Sequence, residues 1–311
     1  MSNSQVIFWG KVLLFWLLAY VLYHHFFVER EFGPLWLHFQ STWQWNKLPF
    51  LIIATLLMPF NWLLETWKWK VLLKNRTSFN QLIKGVSAGV TFGFITPGRA
   101  GEFIGRTFYI EDVNKVNVFF LSLVGGLAQT AVTLVAGSIM FSLSHFYQPF
   151  IAGLAIGTTA VFLLFYFRFD LLNSLLATMP FLANRDLVMQ QADLPSLATL
   201  FEVLLLSALR YFVYLSQYVL LMMAVGTDLS AWKLYVNNAL VLLLQTFSPL
   251  MPYLDFTYRG SVAVFIFEPQ TKNTIAVFLA VTLVWMINLV IPALVGYFFI
   301  WRHKFQLLKQ T

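Results

Sequence analysis

The chain has 311 residues, 59% hydrophobic and 11% charged, with a mean hydropathy of +0.73. Soluble domains run at about 45–50% apolar and about 25% charged, so this composition excludes an ordinary soluble domain and reads as an integral membrane protein. The absence of cysteine excludes disulfides, thiolate metal sites and thiol catalysis, and the net charge of +7 collects in loops beside apolar runs, a topology signal rather than a nucleic-acid one.

A spanning helix needs about 20 mostly apolar residues. Residues 6–27 qualify as the first predicted span, with Lys11 able to snorkel, and no removable signal peptide is read before it. Residues 29–47 are Trp-rich and read as interfacial. Residues 48–64 form the second predicted span, with a kink at Pro59 and with Asn61 satisfying backbone freed by that proline. The next stretch, 65–84, holds Lys68, Lys70, Lys74, Arg76 and Lys84 against one acid. It reads as a cytoplasmic loop in which Glu65 and Lys68 are an exposed pair.

Residues 85–110 are apolar but broken at Thr96-Pro97, with Gly98 and Gly101 just beyond. Each half is too short for a hydrocarbon core of about 30 Å, so the segment reads as a re-entrant hairpin. Thr96 is its predicted N-cap and Pro97 the first helical position. Gly85, Gly89 and Gly93 recur every four residues, a small-residue face on which another helix can pack closely.

Further spans are predicted at 117–140, 150–169, 197–225 and 275–301, with a mixed connector containing one amphipathic helix at 170–196. Residues 231–267 are broken at Ser248-Pro249 and Pro252, a second hairpin. The expected fold is therefore an all-α polytopic membrane protein of about six transmembrane helices and two re-entrant helical hairpins. It forms one transmembrane domain, 1–311, with both termini cytoplasmic.

The two breaks resemble each other. Thr96-Pro97 precedes Glu102 and Arg106, and Ser248-Pro249 precedes Asp255 and Arg259, each an acid-Phe-x-x-Arg run. Three spans and one hairpin in each half, approximately 1–145 and 146–311, imply inverted repeats whose broken helices meet near the midplane, a transporter design.

Charges at membrane depth are costly and usually functional. Glu102 stands at i+3 from Arg99 and i−4 from Arg106, within helical reach of both. Arg99 is predicted in the first, positive turn of its half-helix, where an anionic partner is favoured. The alternative reading is a buried salt-bridge cluster that fixes the hairpin. Asp255 and Arg259 can satisfy each other at i,i+4. Glu202 and Arg210 lie two turns apart on one helix and are expected to share a cavity-facing side, Arg210 being the better candidate. Gln129 and Gln245 read as interhelical hydrogen bonds.

No catalytic constellation is present. The five histidines lack metal-ligand spacing, and no nucleotide-binding loop or nucleophile elbow occurs. The expectation is no enzyme activity, no metal and no cofactor.

Gly98-Arg99-Ala100-Gly101-Glu102, after Pro97 and before Arg106, resembles the transmembrane flippase domain of the lysylphosphatidylglycerol synthase family over most of the chain. The second-half motif departs from the family pattern, since Met251 to Asp255 lacks its glycines. As a stand-alone member without the aminoacyl-transferase domain, the resemblance implies binding or translocation of an anionic or aminoacylated phospholipid in a bacterial inner (plasma) membrane. Arg99, Arg106, Arg259 and Arg210 would hold the headgroup phosphate. Glu102 and Asp255 would orient them or read an amine. The expected partner is membrane phospholipid and not nucleic acid, with homo-oligomerisation left open. The alternatives are a secondary transporter of a small anionic solute and an intramembrane enzyme acting on a lipid phosphate.

Overall fold

A computed structural model describes residues 43–96, 99–110, 113–168, 195–246, 255–271 and 273–302, with isolated positions between 9 and 41. Every regular element among these residues is helical. Five helices are long and apolar enough to cross a membrane: Trp45–Leu72, Lys115–Ser142, Pro149–Phe167, Leu197–Ala224 and Thr274–Arg302. The chain is thus an all-helical, multi-pass membrane protein. The predicted first span at 6–27 and the amphipathic helix at 170–196 lie largely outside the described residues, as do Pro97, Gly98, Ser248, Pro249 and Pro252.

Helix α1 (Leu48–Leu72) runs unbroken through Pro59 and eight residues past the predicted end at Leu64. Nothing in residues 65–72 stops it, because that stretch has neither Gly nor Pro. The turn that follows uses Lys74 and Asn75 at positive φ. Helix α2 (Phe79–Phe94) begins earlier than predicted, at a capping box: Ser78 Oγ accepts from Gln81 N at 3.4 Å, and Ser78 N donates to Gln81 Oε1 at 3.3 Å. Helix α3 (Glu102–Thr107) returns along α2.

Thr96 does not cap α3. Its hydroxyl donates to Phe92 O at 2.9 Å and accepts from Gly101 N at 2.7 Å, so it ties the end of α2 to the turn before α3. Arg99 falls in that turn, at φ 60°, rather than in a helical first turn. The return is close because glycines line it. A Cβ on Gly93 would stand 2.6 Å from Glu102 Cγ, and one on Gly105 would collide with the Ala88 backbone.

Helix α4 (Lys115–Ser142) is capped by Asn114, and α5 (Pro149–Phe167) starts on a proline. Helix α6 (Leu197–Ala224) is capped by Ser196. Helices α7 (Ala231–Gln245) and α8 (Asp255–Phe267) are again short and antiparallel, since Tyr258 OH donates to Leu244 O and Arg259 Nη1 to Gln245 Oε1, both at 3.2 Å. Helix α9 (Thr274–Trp285) passes through a π turn, Met286–Val290, into α10 (Ile291–Arg302). Pro292 lies just beyond the π turn, the kind of local adjustment that accommodates a proline in a spanning helix.

Helices α1 and α6 pack antiparallel along their length. Lys47 lies against Gly226, Gln217 Nε2 donates to Ala54 O at 2.8 Å, and Arg210 meets Glu65. One end of the bundle gathers Lys47, His145, Gly226 and Gln270, with Gln270 Nε2 3.0 Å from both His145 Nδ1 and Asn237 Oδ1. The other gathers Leu72, Leu82, Ile110, Val118, Tyr166 and Leu200. The α2–α3 pair therefore opens towards the second end and the α7–α8 pair towards the first.

Two close glycine contacts share the same helical spacing. Gly137 of α4 abuts Leu243 of α7, and Gly296 of α10 abuts Ser87 and Thr91 of α2. Each glycine stands 22 positions into its continuous helix (Lys115 to Gly137, Thr274 to Gly296), and Leu243 and Thr91 each stand 12 into theirs (Ala231 to Leu243, Phe79 to Thr91). Thr91 Oγ1 adds a 2.7 Å hydrogen bond to Ala293 O. Between helices already in lipid, such small-residue contacts and hydrogen bonds drive association more than apolar burial does.

Candidate functional site

Three segments converge at the centre. Asn61, Glu65, Lys68 and Trp69 recur at three- and four-residue spacing, which sets them on one face of α1. That face is buried: Glu65 and Lys68 are only 4% and 2% exposed. The prediction of an exposed pair is thus corrected. The α1 helix continues past them, and the surrounding helices cover this face. The α2–α3 pair brings Arg99, Glu102 and Arg106, and α6 brings Arg210.

Glu65 is the hub. Its Oε2 pairs with Lys68 Nζ at 2.7 Å and with Arg210 Nη1. Its Oε1 accepts from Arg106 Nη2 and from Trp69 Nε1, both at 3.2 Å. Glu102 Oε2 takes Arg106 Nη2 at 2.5 Å, and Glu102 Oε1 takes Arg99 Nε at 2.5 Å. Both arginines thus pair with Glu102, as the sequence predicts, but only Arg106 does so by helical i+4 spacing, and Arg99 reaches it from the turn before α3. Arg210 Nε donates to Asn61 Oδ1 at 2.9 Å, so Asn61 serves this network rather than the backbone near Pro59. The Arg106 guanidinium stacks over Trp69 at 4.6 Å, and Lys68 Nζ also reaches Gly125 O at 3.3 Å.

Two carboxylates thus face four cations, a formal surplus of two positive charges among the described residues. The Arg99 side chain is 41% exposed, whereas that of Arg106 is 6%. The buried members carry the structural role, and Arg99 faces open space.

That space is a cavity of two adjoining chambers, about 640 and 280 Å³. Arg99, Arg210 and Arg259 line both, as do Gln129 and Gln245. The tips of the two short-helix pairs, arriving from opposite ends, therefore share one cavity with α6. Gln245 Oε1 accepts from Arg259 Nη1, linking α7 to α8 as an interhelical hydrogen bond. Gln129 Oε1 is buried with no hydrogen-bond partner, so this oxygen makes no interhelical bond.

Other expectations fare differently. Glu202 is exposed and does not line the cavity with Arg210. At about 100° per residue, eight positions turn about 80° past two full turns, enough to leave the shared face. The side chain of Asp255 lies outside the described residues. Glu65, Lys68 and Asn61 are the site residues that sequence reasoning missed. The available signal was their common helical face in a stretch with no helix stop. Among the described residues no cluster of His, Asp and Glu is arranged to hold a metal ion. No family model matches this sequence, and no curated protein matches it.

Proposed function

We propose that the chain is a flippase-like membrane protein that binds or translocates an anionic or aminoacylated phospholipid in a bacterial-type plasma membrane. The observation that supports this reading is the meeting of Arg99, Arg210 and Arg259 on a wall common to both chambers. Arginine forks match phosphate oxygens geometrically and stay charged in low dielectric. The positive surplus inside an apolar bundle favours an anionic occupant.

We read the two short-helix pairs as re-entrant hairpins of inverted repeats, with the headgroup between their tips and the acyl chains in lipid. The matched contacts of Gly137 with Leu243 and of Gly296 with Thr91 support that reading. Resemblance to the flippase domain of the lysylphosphatidylglycerol synthase family supports the lipid assignment.

Reconstitution into vesicles with a panel of labelled lipids tests it. Anionic lipids should be bound or moved across the bilayer, and Arg259→Gln or Arg210→Gln should slow or weaken this. If no lipid in the panel is bound or moved while a small soluble anion crosses, the protein is a solute transporter instead.

A further inference from the structure

The smaller chamber differs in chemistry from the larger one. It contains Arg99, Arg210 and Arg259 but no carboxylate among its described lining residues. Away from those arginines its wall offers neutral polar groups from four helical segments: Gln129 of α4, Tyr211 of α6, Gln245 of α7 and Asn288 of the π turn. Trp62, Tyr214 and Trp285 supply aromatic surface between them.

Four of these polar atoms, Gln129 Oε1, Tyr211 OH, Gln245 Nε2 and Asn288 Oδ1, are buried without a hydrogen-bond partner. Tyr211, Gln245 and Asn288 are 6%, 6% and 7% exposed. Buried polar groups are nearly always paired, so four orphans on residues that line one chamber, each just beneath its wall, mark a place where a polar occupant completes the bonding after a small side-chain shift. Two of the amides have their orientation fixed. Gln245 Oε1 is held by Arg259 at 3.2 Å, which turns Nε2 away as a donor. Asn288 Nδ2 donates to Val284 O at 3.2 Å, which leaves Oδ1 as an acceptor. The unmet set therefore mixes donors and acceptors.

That mixture discriminates between occupants. A phosphate diester only accepts and leaves Asn288 Oδ1 unmet, and inorganic phosphate brings too few P–OH donors to meet the acceptors and pack on the aromatic walls as well. An ammonium only donates, leaves Gln245 Nε2 unmet and sits beside three arginines. A hydroxyl both donates and accepts. Several hydroxyls on a ring meet the whole set while the ring packs on the aromatic walls.

We propose that the smaller chamber is a subsite for a sugar or cyclic polyol attached to the phosphate held by Arg99, Arg210 and Arg259. The occupant is then a phosphate ester of a polyhydroxylated ring, either as a lipid headgroup or as a soluble molecule. The inference rests on the anion-binding reading above and narrows its substrate.

The test uses the purified full-length protein and its intrinsic tryptophan fluorescence. Inositol 1-phosphate and glucose 1-phosphate are titrated against inorganic phosphate and phosphoethanolamine. The same comparison is made in nanodiscs holding phosphatidylinositol or phosphatidylethanolamine. The ring esters, soluble or lipid-linked, should bind at least about tenfold more tightly than their counterparts, and whichever form binds better identifies the source. Tyr211→Phe, which removes one oxygen, and Asn288→Ala should each erase most of that advantage and leave inorganic phosphate binding unchanged. Equal affinity for ring esters and inorganic phosphate, or an advantage untouched in both variants, overturns the subsite and leaves the anion site standing. Absence of binding by every phosphate compound overturns both.

Discussion

Glu65 of α1 and Arg210 of α6 form an ion pair across 145 positions of sequence. The same carboxylate holds Lys68 and Arg106, so one side chain joins α1, the α2–α3 pair and α6. Its removal leaves the buried Lys68 and Arg106 and the partly buried Arg210 facing one another.

Glu65→Gln should therefore destabilise the protein by about 3–5 kcal/mol, the usual cost of stranding buried charges. Glu102→Gln should cost less, because Glu102 meets two cations and one of them, Arg99, is partly exposed. Thermal unfolding in detergent gives the order. A larger loss for Glu102→Gln would show that the hub lies in the α2–α3 pair and not on α1.

Arg99 combines a partly exposed side chain with a left-handed backbone in the wall of both chambers. A partly exposed pair contributes about 0–1 kcal/mol, so Arg99→Gln should melt close to the parent protein. It should nevertheless lose most of the stabilisation given by anionic lipid. Unfolding of the variant with lipid stabilisation intact would make Arg99 a structural residue.

Gly105 packs so closely on the Ala88 backbone that no side chain fits without displacement. Gly105→Val should cost about 1–3 kcal/mol or more, as overpacking does. Gly153 has nothing within 4 Å of its would-be Cβ, so Gly153→Ala should be neutral or slightly stabilising. Melting temperatures of the two variants measure the contrast, and equal values would mean that the α2–α3 contact is looser than described.

Topology is open to direct labelling because the chain lacks cysteine. Lys74 and Arg76 flank Asn75 at the end of α1 and argue for a cytoplasmic turn. Gln148 and Asp228 lie beyond the next ends of α4 and α6, at the opposite end of the bundle. An impermeant thiol reagent added to intact cells should label Gln148→Cys and Asp228→Cys but not Asn75→Cys. Labelling of Asn75→Cys alone would invert the orientation.

What the sequence determined by itself follows from local rules. Apolar runs of spanning length fixed the helical membrane class, and five of the predicted spans recur among the described residues. The glycines at 85, 89 and 93 and the spacing of Arg99, Glu102 and Arg106 are local, so the close α2–α3 packing and its ion pairs were legible. The capping box at Ser78 was equally local and marks the true start of α2. Only the tertiary structure could decide what faces what. Burial depends on which helices lie alongside, so Glu65 and Lys68 read as a loop-edge pair until α4, α6 and the α2–α3 pair are packed over them. The convergence of Arg99, Arg210 and Arg259 on one cavity likewise joins segments far apart in sequence, and the orphaned polar groups beside them exist only once four helical segments have closed around a shared space. Periodicity reports one helix at a time, whereas a charge inside a bilayer is placed by every helix around it.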